Sequence, residues 1–242
     1  MCRQNPGDGT ILSGEMEGIV IAIDGPAGSG KSSVAREIAS RLGLVNLNTG
    51  ATYRAVALLA LEEGIVSGGG ESTGGDLVSL ARRVALHGET VSIDGEAVRD
   101  AALRTPEVSA EASKISSGKK LREVLVEIQR EAASEARRQG GAVVEGRDIG
   151  TVVLPDAEVK VFLSASAEER AMRRARQSGR VGELERIKGA MAERDRQDSE
   201  RETSPLRPAS GAVSLDTTGM SFEEVVSEIL SLVEKSRRTA SR

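Results

Sequence analysis

Short apolar runs alternate with helical stripes along most of the chain, and that alternation predicts a parallel sheet covered by helices on both faces. Gly18 to Asp24 is rich in Ile and Val, the pattern of a buried parallel strand. From Lys31 onward, Val34, Ile38 and Leu42 recur every fourth position, which predicts a helix with one apolar face, capped by Gly43. Leu44 to Leu47 makes a second short strand. The helix after it, with Thr49 as expected N-cap, buries Val56, Leu59 and Ala60. Further strands are expected at Gly141 to Glu145, Val159 to Leu163 and Val213 to Leu215. Ser166 with Glu169, and Ser221 with Glu224, read as capping boxes; the second opens a last helix that turns Val225, Ile229 and Leu232 inward.

The rhythm breaks in the middle of the chain. Gly64 to Gly75 is Gly- and Ser-rich and reads as a surface loop, and Val84 to Val98 alternates around an Asp94-Gly95 turn, a small antiparallel meander. His87, at the first bend of that meander, has no acid partner nearby in sequence and reads as a solvated turn residue rather than a catalytic base. Thr105 and Pro106 open another helix. A long one follows from about Lys119 to Arg137, with Leu121, Val124, Leu125 and Ile128 on its buried side. The expected organisation is a core at about 17–62 and 139–235, an inserted lobe at about 63–138 and a charged lid at about 170–203. Residues 1–16 read as a disordered leader, with Met16 an alternative start, and residues 236–242 as a frayed polar tail.

Composition narrows the partners. The 242 residues carry a net charge of −4, so no global basic field attracts a nucleic-acid polymer or a membrane surface. Tyr53, Phe162 and Phe222 are the only aromatics, which leaves the core to Val, Leu, Ile and Ala. Cys2 is the one cysteine, so an internal disulfide and a cysteine-based zinc site are excluded, and a cytoplasmic setting fits. No apolar run reaches membrane-spanning length. A monomer is the default expectation.

The most specific chemistry lies between the first strand and the first helix. Gly25, Pro26, Ala27, Gly28, Ser29, Gly30, Lys31 and Ser32 fit G-x-x-x-x-G-K-[ST] at every fixed position. Glycines let the backbone curl its N–H groups toward phosphate oxygens, and the helix start adds its positive end. Lys31 is then expected on the β- and γ-phosphates of a nucleoside triphosphate and the Ser32 hydroxyl on Mg²⁺. Arg54 and Arg147 follow other strands, and Arg122 lies on a helix able to flank them. Such a set of guanidinium forks argues for an acceptor that is itself a phosphate, which needs charge neutralisation rather than a base. The arginines between Arg170 and Arg201 read as a lid that closes over the triphosphate, whereas the acidic residues among them read as a solvated face. Asp24 and Asp148 are the carboxylates placed to meet Mg²⁺ or an exocyclic amine, although Asp148 has the alternative of pairing with Arg147 or a lid arginine.

Five ordered motifs carry a resemblance: GPAGSGKSS at Gly25 to Ser33, NTGATYR at Asn48 to Arg54, EGRDIGTVVLPDA at Glu145 to Ala157, SAEERAMRR at Ser166 to Arg174 and ERDRQD at Glu193 to Asp198. Together they resemble bacterial cytidylate kinases. The resemblance implies an α/β fold of the nucleoside monophosphate kinase type, with a parallel core, a small antiparallel acceptor-binding insert and an arginine-rich lid. It implies phosphorylation of CMP and dCMP by ATP with Mg²⁺. Carried over by motif, Gly25 to Ser33 and Arg173 would hold ATP, and Thr49, Tyr53 and Arg54 would lie on the acceptor's phosphate side. Ser113, Arg122 and Asp148 would read the cytosine edge, Asp198 would lie near the sugar, and Arg147, Arg194 and Arg201 would bring charge to the phosphates. Two competing readings are a kinase of the same fold acting on another nucleotide or an alcohol such as shikimate, and a non-catalytic nucleotide switch.

Overall fold

The computed structural model describes residues 18–65 and 73–240. In chain order, β1 (Ile19–Asp24) leads through the glycine turn into α1 (Lys31–Leu42), β2 (Val45–Asn48) and α2 (Gly50–Glu62). An insert follows: α3 (Thr73–Ala81), the strands β3 (Val84–His87), β4 (Thr90–Ile93) and β5 (Glu96–Ala97), then α4 (Asp100–Leu103), α5 (Pro106–Ile115) and α6 (Lys119–Arg138). The chain returns in β6 (Gly141–Gly146), a wide helical turn at Ile149–Val153, and β7 (Val159–Ser164). It ends with α7 (Ala167–Gln177), α8 (Leu184–Glu200), β8 (Val213–Asp216) and α9 (Phe222–Ala240).

The five long-range strands form one parallel sheet in the order β2-β6-β1-β7-β8, and β3-β4-β5 form a separate antiparallel sheet. Asp24 stands opposite Gly146, and Asn48 opposite Glu145, so the carboxyl ends of the three strands that carry the motifs are level. Strand order reverses around this point, which is where ligands of open parallel sheets gather.

Alternate residues of β1 explain its unbroken apolar run. Ile21 and Ile23 pack under α1 and α9 with Val34, Ile38, Val226 and Ile229. Val20 and Ala22 face the other way, toward Val126, Ala133 and Ala136 of α6. A third core, independent of the sheet, joins α2 to the insert through Val56, Leu59, Leu80, Val91, Leu121 and Leu125. Helix α6 therefore serves two cores, its first turns in the insert and its last turns on the sheet, and so fixes one to the other.

Several local expectations need correction. Thr49 has helical dihedrals (φ −64°, ψ −29°) and makes no side-chain cap; its hydroxyl donates instead to the Glu145 carbonyl at 2.8 Å, tying β2 to β6. Helix α3 begins at Thr73, inside the expected loop, and residues 66–72 lie outside the described residues, as does the expected leader. The expected frayed tail continues α9 to Ala240, where Arg237 and Arg238 suit the negative end of the helix. Ser166 caps α7 through the Glu169 amide, but Glu169 does not reach back; it binds Arg173. The Ser221–Glu224 box is reciprocal, and Thr105 with Pro106 opens α5 as expected. His87 is exposed beside the β3–β4 turn. Among the described residues, no helix is long and apolar enough to cross a membrane.

Candidate active site

The glycine turn is shaped from outside as well as from within. At Gly28 (φ +74°) a Cβ would stand 2.6 Å from Met191 Cε and 2.9 Å from the Arg170 carbonyl oxygen, so only glycine admits the lid this closely. Among the described residues, the amides of Gly28, Ser29 and Gly30 donate to no protein atom. Three successive free donors at the start of a helix are suited to an anion. The Lys31 ammonium folds back to the Pro26 carbonyl at 2.7 Å and to Ser29 Oγ at 3.3 Å. Burial, reinforced by Arg147 and Arg194, holds it well below the usual lysine range, against the pull of Glu145 and Asp24. Ser33 is exposed in the first turn of α1.

Ser32 Oγ donates to Glu145 Oε2 at 2.7 Å, while Glu145 Oε1 is buried with no partner. Glu145 was not singled out from the sequence, although its place at the end of a core strand beside β1 is the signal that marks it. Arg173 stands over the other side of the turn, its Nη1 4.0 Å from where a Gly30 Cβ would be. Glu169 and both the hydroxyl and carbonyl of Thr217 fix its guanidinium at 2.8–2.9 Å.

The side expected to take the acceptor is built from five elements, α2, α5, α6, the end of β6 and α8. Arg122, on α6, pairs with Asp148 after β6, and both are buried; Arg122 Nη1 also donates to the Ser116 carbonyl at 3.1 Å. Asp148 thus pairs with neither Arg147 nor the lid. Tyr53 lies beneath, with the Arg122 guanidinium 5.5 Å from its ring centre, and burial pushes its phenol up to about 12. Asp198, 1% exposed, accepts from Arg147 Nε at 2.8 Å and from Arg201. Burial pushes its carboxyl up, but Arg147, Arg201 and Arg194 outweigh that and hold it below the usual range. Arg201 also donates to Ser116 Oγ at 2.9 Å, and Ser113 Oγ donates to Gln197 Oε1 at 3.2 Å. Ser116 is a second residue the sequence reading missed; nothing in its local pattern distinguishes it.

Two arginines are left without such partners. Arg54 touches only Asn48 Oδ1 at 3.4 Å, and its Nε is buried and unsatisfied; Arg194 Nε is likewise. Burial and neighbouring cations push both guanidiniums down to about 10. Asp24 has a different position from that expected of an open metal-facing carboxylate. Its two oxygens accept the Ile149 and Gly150 amides, each at 2.8 Å, bracing β1 to the segment after β6. Burial lifts its carboxyl to about 6 against those bonds.

The lid acids were expected to be solvated. Glu193 and Glu200 are, sharing Arg196 on an exposed face, but Asp195 and Asp198 point inward. Asp195 accepts the Ala27 amide at 3.2 Å and pairs with Arg170, which donates to the Ala27 carbonyl at 3.0 Å.

Known proteins are similar to this chain in sequence and in fold. A protein from Geobacter sulfurreducens named cytidylate kinase is 45% identical over 226 residues, covering 91% of this chain and 95% of its own. One of the same name from Desulforamulus reducens is 46% identical, covering 90% and 97%. A crystal structure of an uncharacterised protein from Eubacterium ventriosum shares the fold alone, with a TM-score of 0.51 at 12% identity over 90% of this chain and 98% of that one. The sequence model of the family described as cytidylate kinase spans residues 21–235, from β1 through the insert and lid to α9 and so across every residue of the crevice, and the chain belongs to that family.

Proposed function

We propose that the protein transfers the γ-phosphoryl group of ATP to the phosphate of CMP and dCMP, giving CDP and dCDP by in-line displacement. The observation that carries this reading is that α8 docks on the phosphate loop through Asp195 and Ala27 while Asp198 of the same helix holds Arg147 of the β6 end together with Arg201. Cations from the phosphate loop, from β6 and from the lid face one crevice, as the meeting of two phosphate groups requires. The free amides of Gly28 to Gly30 with Lys31 would hold the donor phosphates. Arg54, Arg147 and Arg201 would hold the acceptor phosphate and orient it for attack. The buried Arg122–Asp148 pair supports a cytosine acceptor, because a carboxylate takes a hydrogen bond from the exocyclic amine and repels a carbonyl at that place. Ser113 would meet the same edge.

Ser32 and Glu145 fit a magnesium ion that keeps most of its waters, since one hydroxyl and one carboxylate with an unsatisfied oxygen stand side by side. Bound with ATP, Mg²⁺ would neutralise charge on the β- and γ-oxygens.

The test is ADP production with ATP and Mg²⁺ against CMP, dCMP, UMP, AMP, GMP and shikimate. Turnover confined to CMP and dCMP is expected. Preference for another nucleotide would overturn the base assignment, and turnover of shikimate alone would overturn the phosphate-acceptor reading built on Arg54 and Arg147.

A further inference from the structure

We propose that Asp195 is the residue through which the lid grips the phosphate loop, a positioning residue that sets the loop and the lid arginines in one step. Ala27 is held on both sides of its Cα, through the N–H of one peptide group and the carbonyl of the next, by a single ion pair spanning two helices. Asp195 of α8 accepts its N–H, and Arg170 of α7 donates to its carbonyl while bonding Asp195. Arg170 Nε is itself anchored on the Ala165 carbonyl at 3.0 Å. With side chains 12% and 18% exposed, the pair is sheltered from the water that makes surface ion pairs weak, and each member also makes a charge-assisted bond to backbone. Met191, one turn before Asp195, closes over Gly28.

Two consequences follow from where Asp195 sits. The Ala27 carbonyl held by Arg170 shares its peptide plane with the Gly28 N–H, and Asp195 holds the plane before it, so the pair fixes the direction of the first of the three free amides. Arg194 is the neighbouring residue on α8, and Asp198, which holds Arg147, lies three residues on. Docking Asp195 on Ala27 therefore places Arg194 and, through Asp198, Arg147 in the crevice together. The kinetic part of this inference rests on the ATP-dependent reading above; the contact itself does not.

The test compares the intact protein with Asp195→Ala and Asp195→Asn. Hydrogen exchange at the Ala27 amide, followed in the nucleotide-free protein, should quicken by about tenfold or more in Asp195→Ala. The KM for ATP should rise about tenfold while that for CMP changes less than about twofold. Asp195→Asn keeps an acceptor oxygen and should fall between, and it carries both measurements should the alanine variant fail to fold. Unchanged exchange overturns the proposal. So does faster exchange with an unchanged KM for ATP, or an equal rise in both KM values, which marks a general structural support. If the intact protein transfers nothing from ATP to CMP, the functional reading fails while the exchange measurement still decides the contact.

Discussion

The donor and acceptor halves of the crevice hold their charges in opposite ways. On the donor side Lys31 is a buried cation bonded only to a carbonyl and a hydroxyl, beside amides with no protein acceptor. On the acceptor side most arginines already have a carboxylate partner: Arg122 has Asp148, and Arg147 and Arg201 share Asp198. A site left short of negative charge draws a polyanion strongly, whereas paired arginines are rigid and keep geometry before the ligand arrives. Arg54 and Arg194 are the exceptions on the acceptor side, with unsatisfied Nε atoms and guanidiniums pushed down to about 10. They extend the charge deficit of the donor side to the place where the two phosphates would meet.

Lys31→Met is the largest test of this contrast. Turnover should fall on the order of a thousandfold if Lys31 bridges the loop and the transferred phosphoryl as proposed. The unfolding midpoint in urea should rise, since a desolvated ammonium is removed. A fall in both activity and stability would break the claim that the donor side is built at the expense of folding.

Asp24 gives the same half of the site a pH signature. Its carboxyl is raised from 3.8 to about 6 by burial, so the folded chain binds its proton more tightly than the unfolded one. The resulting stability is fully present below 3.8 and is lost as pH rises through about 6, to the extent of roughly 3 kcal/mol. Urea midpoints measured between pH 4 and 7 should show that slope in the native protein and lose it in Asp24→Asn. Equal slopes would show that the Ile149 and Gly150 amides compensate the burial fully.

Arg54→Ala against Arg147→Ala separates the two kinds of arginine. Each should lower kcat/KM for CMP about a hundredfold if both hold the acceptor phosphate. Their stabilities should move apart. Removing Arg54 deletes a desolvated guanidinium with no carboxylate partner and an unsatisfied Nε and should raise the midpoint, whereas removing Arg147 strips Asp198 of one of its cations and should lower it. Parallel shifts in stability would erase the distinction.

What the sequence made legible divides along the same line. The donor side is local: strand, turn and helix are consecutive, and the whole motif from Gly25 to Ser32 could be read off the sequence. The parallel sheet, the antiparallel insert and the inward stripe of α6 followed from periodicity. The acceptor side depends on contacts across 26 to 85 positions, such as Arg122 with Asp148 or Arg201 with Ser116, and no local pattern encodes a partner at that range. Glu145 looked like the end of an apolar strand, and Asp195 like one more solvated acid on a charged helix, because exposure is set by which face α8 turns to the loop. Thr49 failed as a cap for a related reason: its dihedrals are helical rather than extended, and its hydroxyl is turned onto a carbonyl of the neighbouring strand.

Ser113 offers the smallest and most discriminating effect. Its hydroxyl is half-buried and donates to Gln197 of α8 at 3.2 Å, so it belongs to the paired side of the crevice yet carries no charge. Ser113→Ala should leave the unfolding midpoint within about 0.5 kcal/mol of the native value, as a partly exposed neutral bond allows. If the hydroxyl meets the cytosine edge, kcat/KM for CMP should drop about threefold to tenfold with no change in the KM for ATP. Gln197→Ala distinguishes contact with the base from support of the lid, because it removes the bond to Ser113 while keeping the hydroxyl. A loss confined to Ser113→Ala assigns the hydroxyl to the acceptor. An equal loss in both variants assigns the bond to lid placement, and leaves the recognition of cytosine to Arg122 and Asp148 alone.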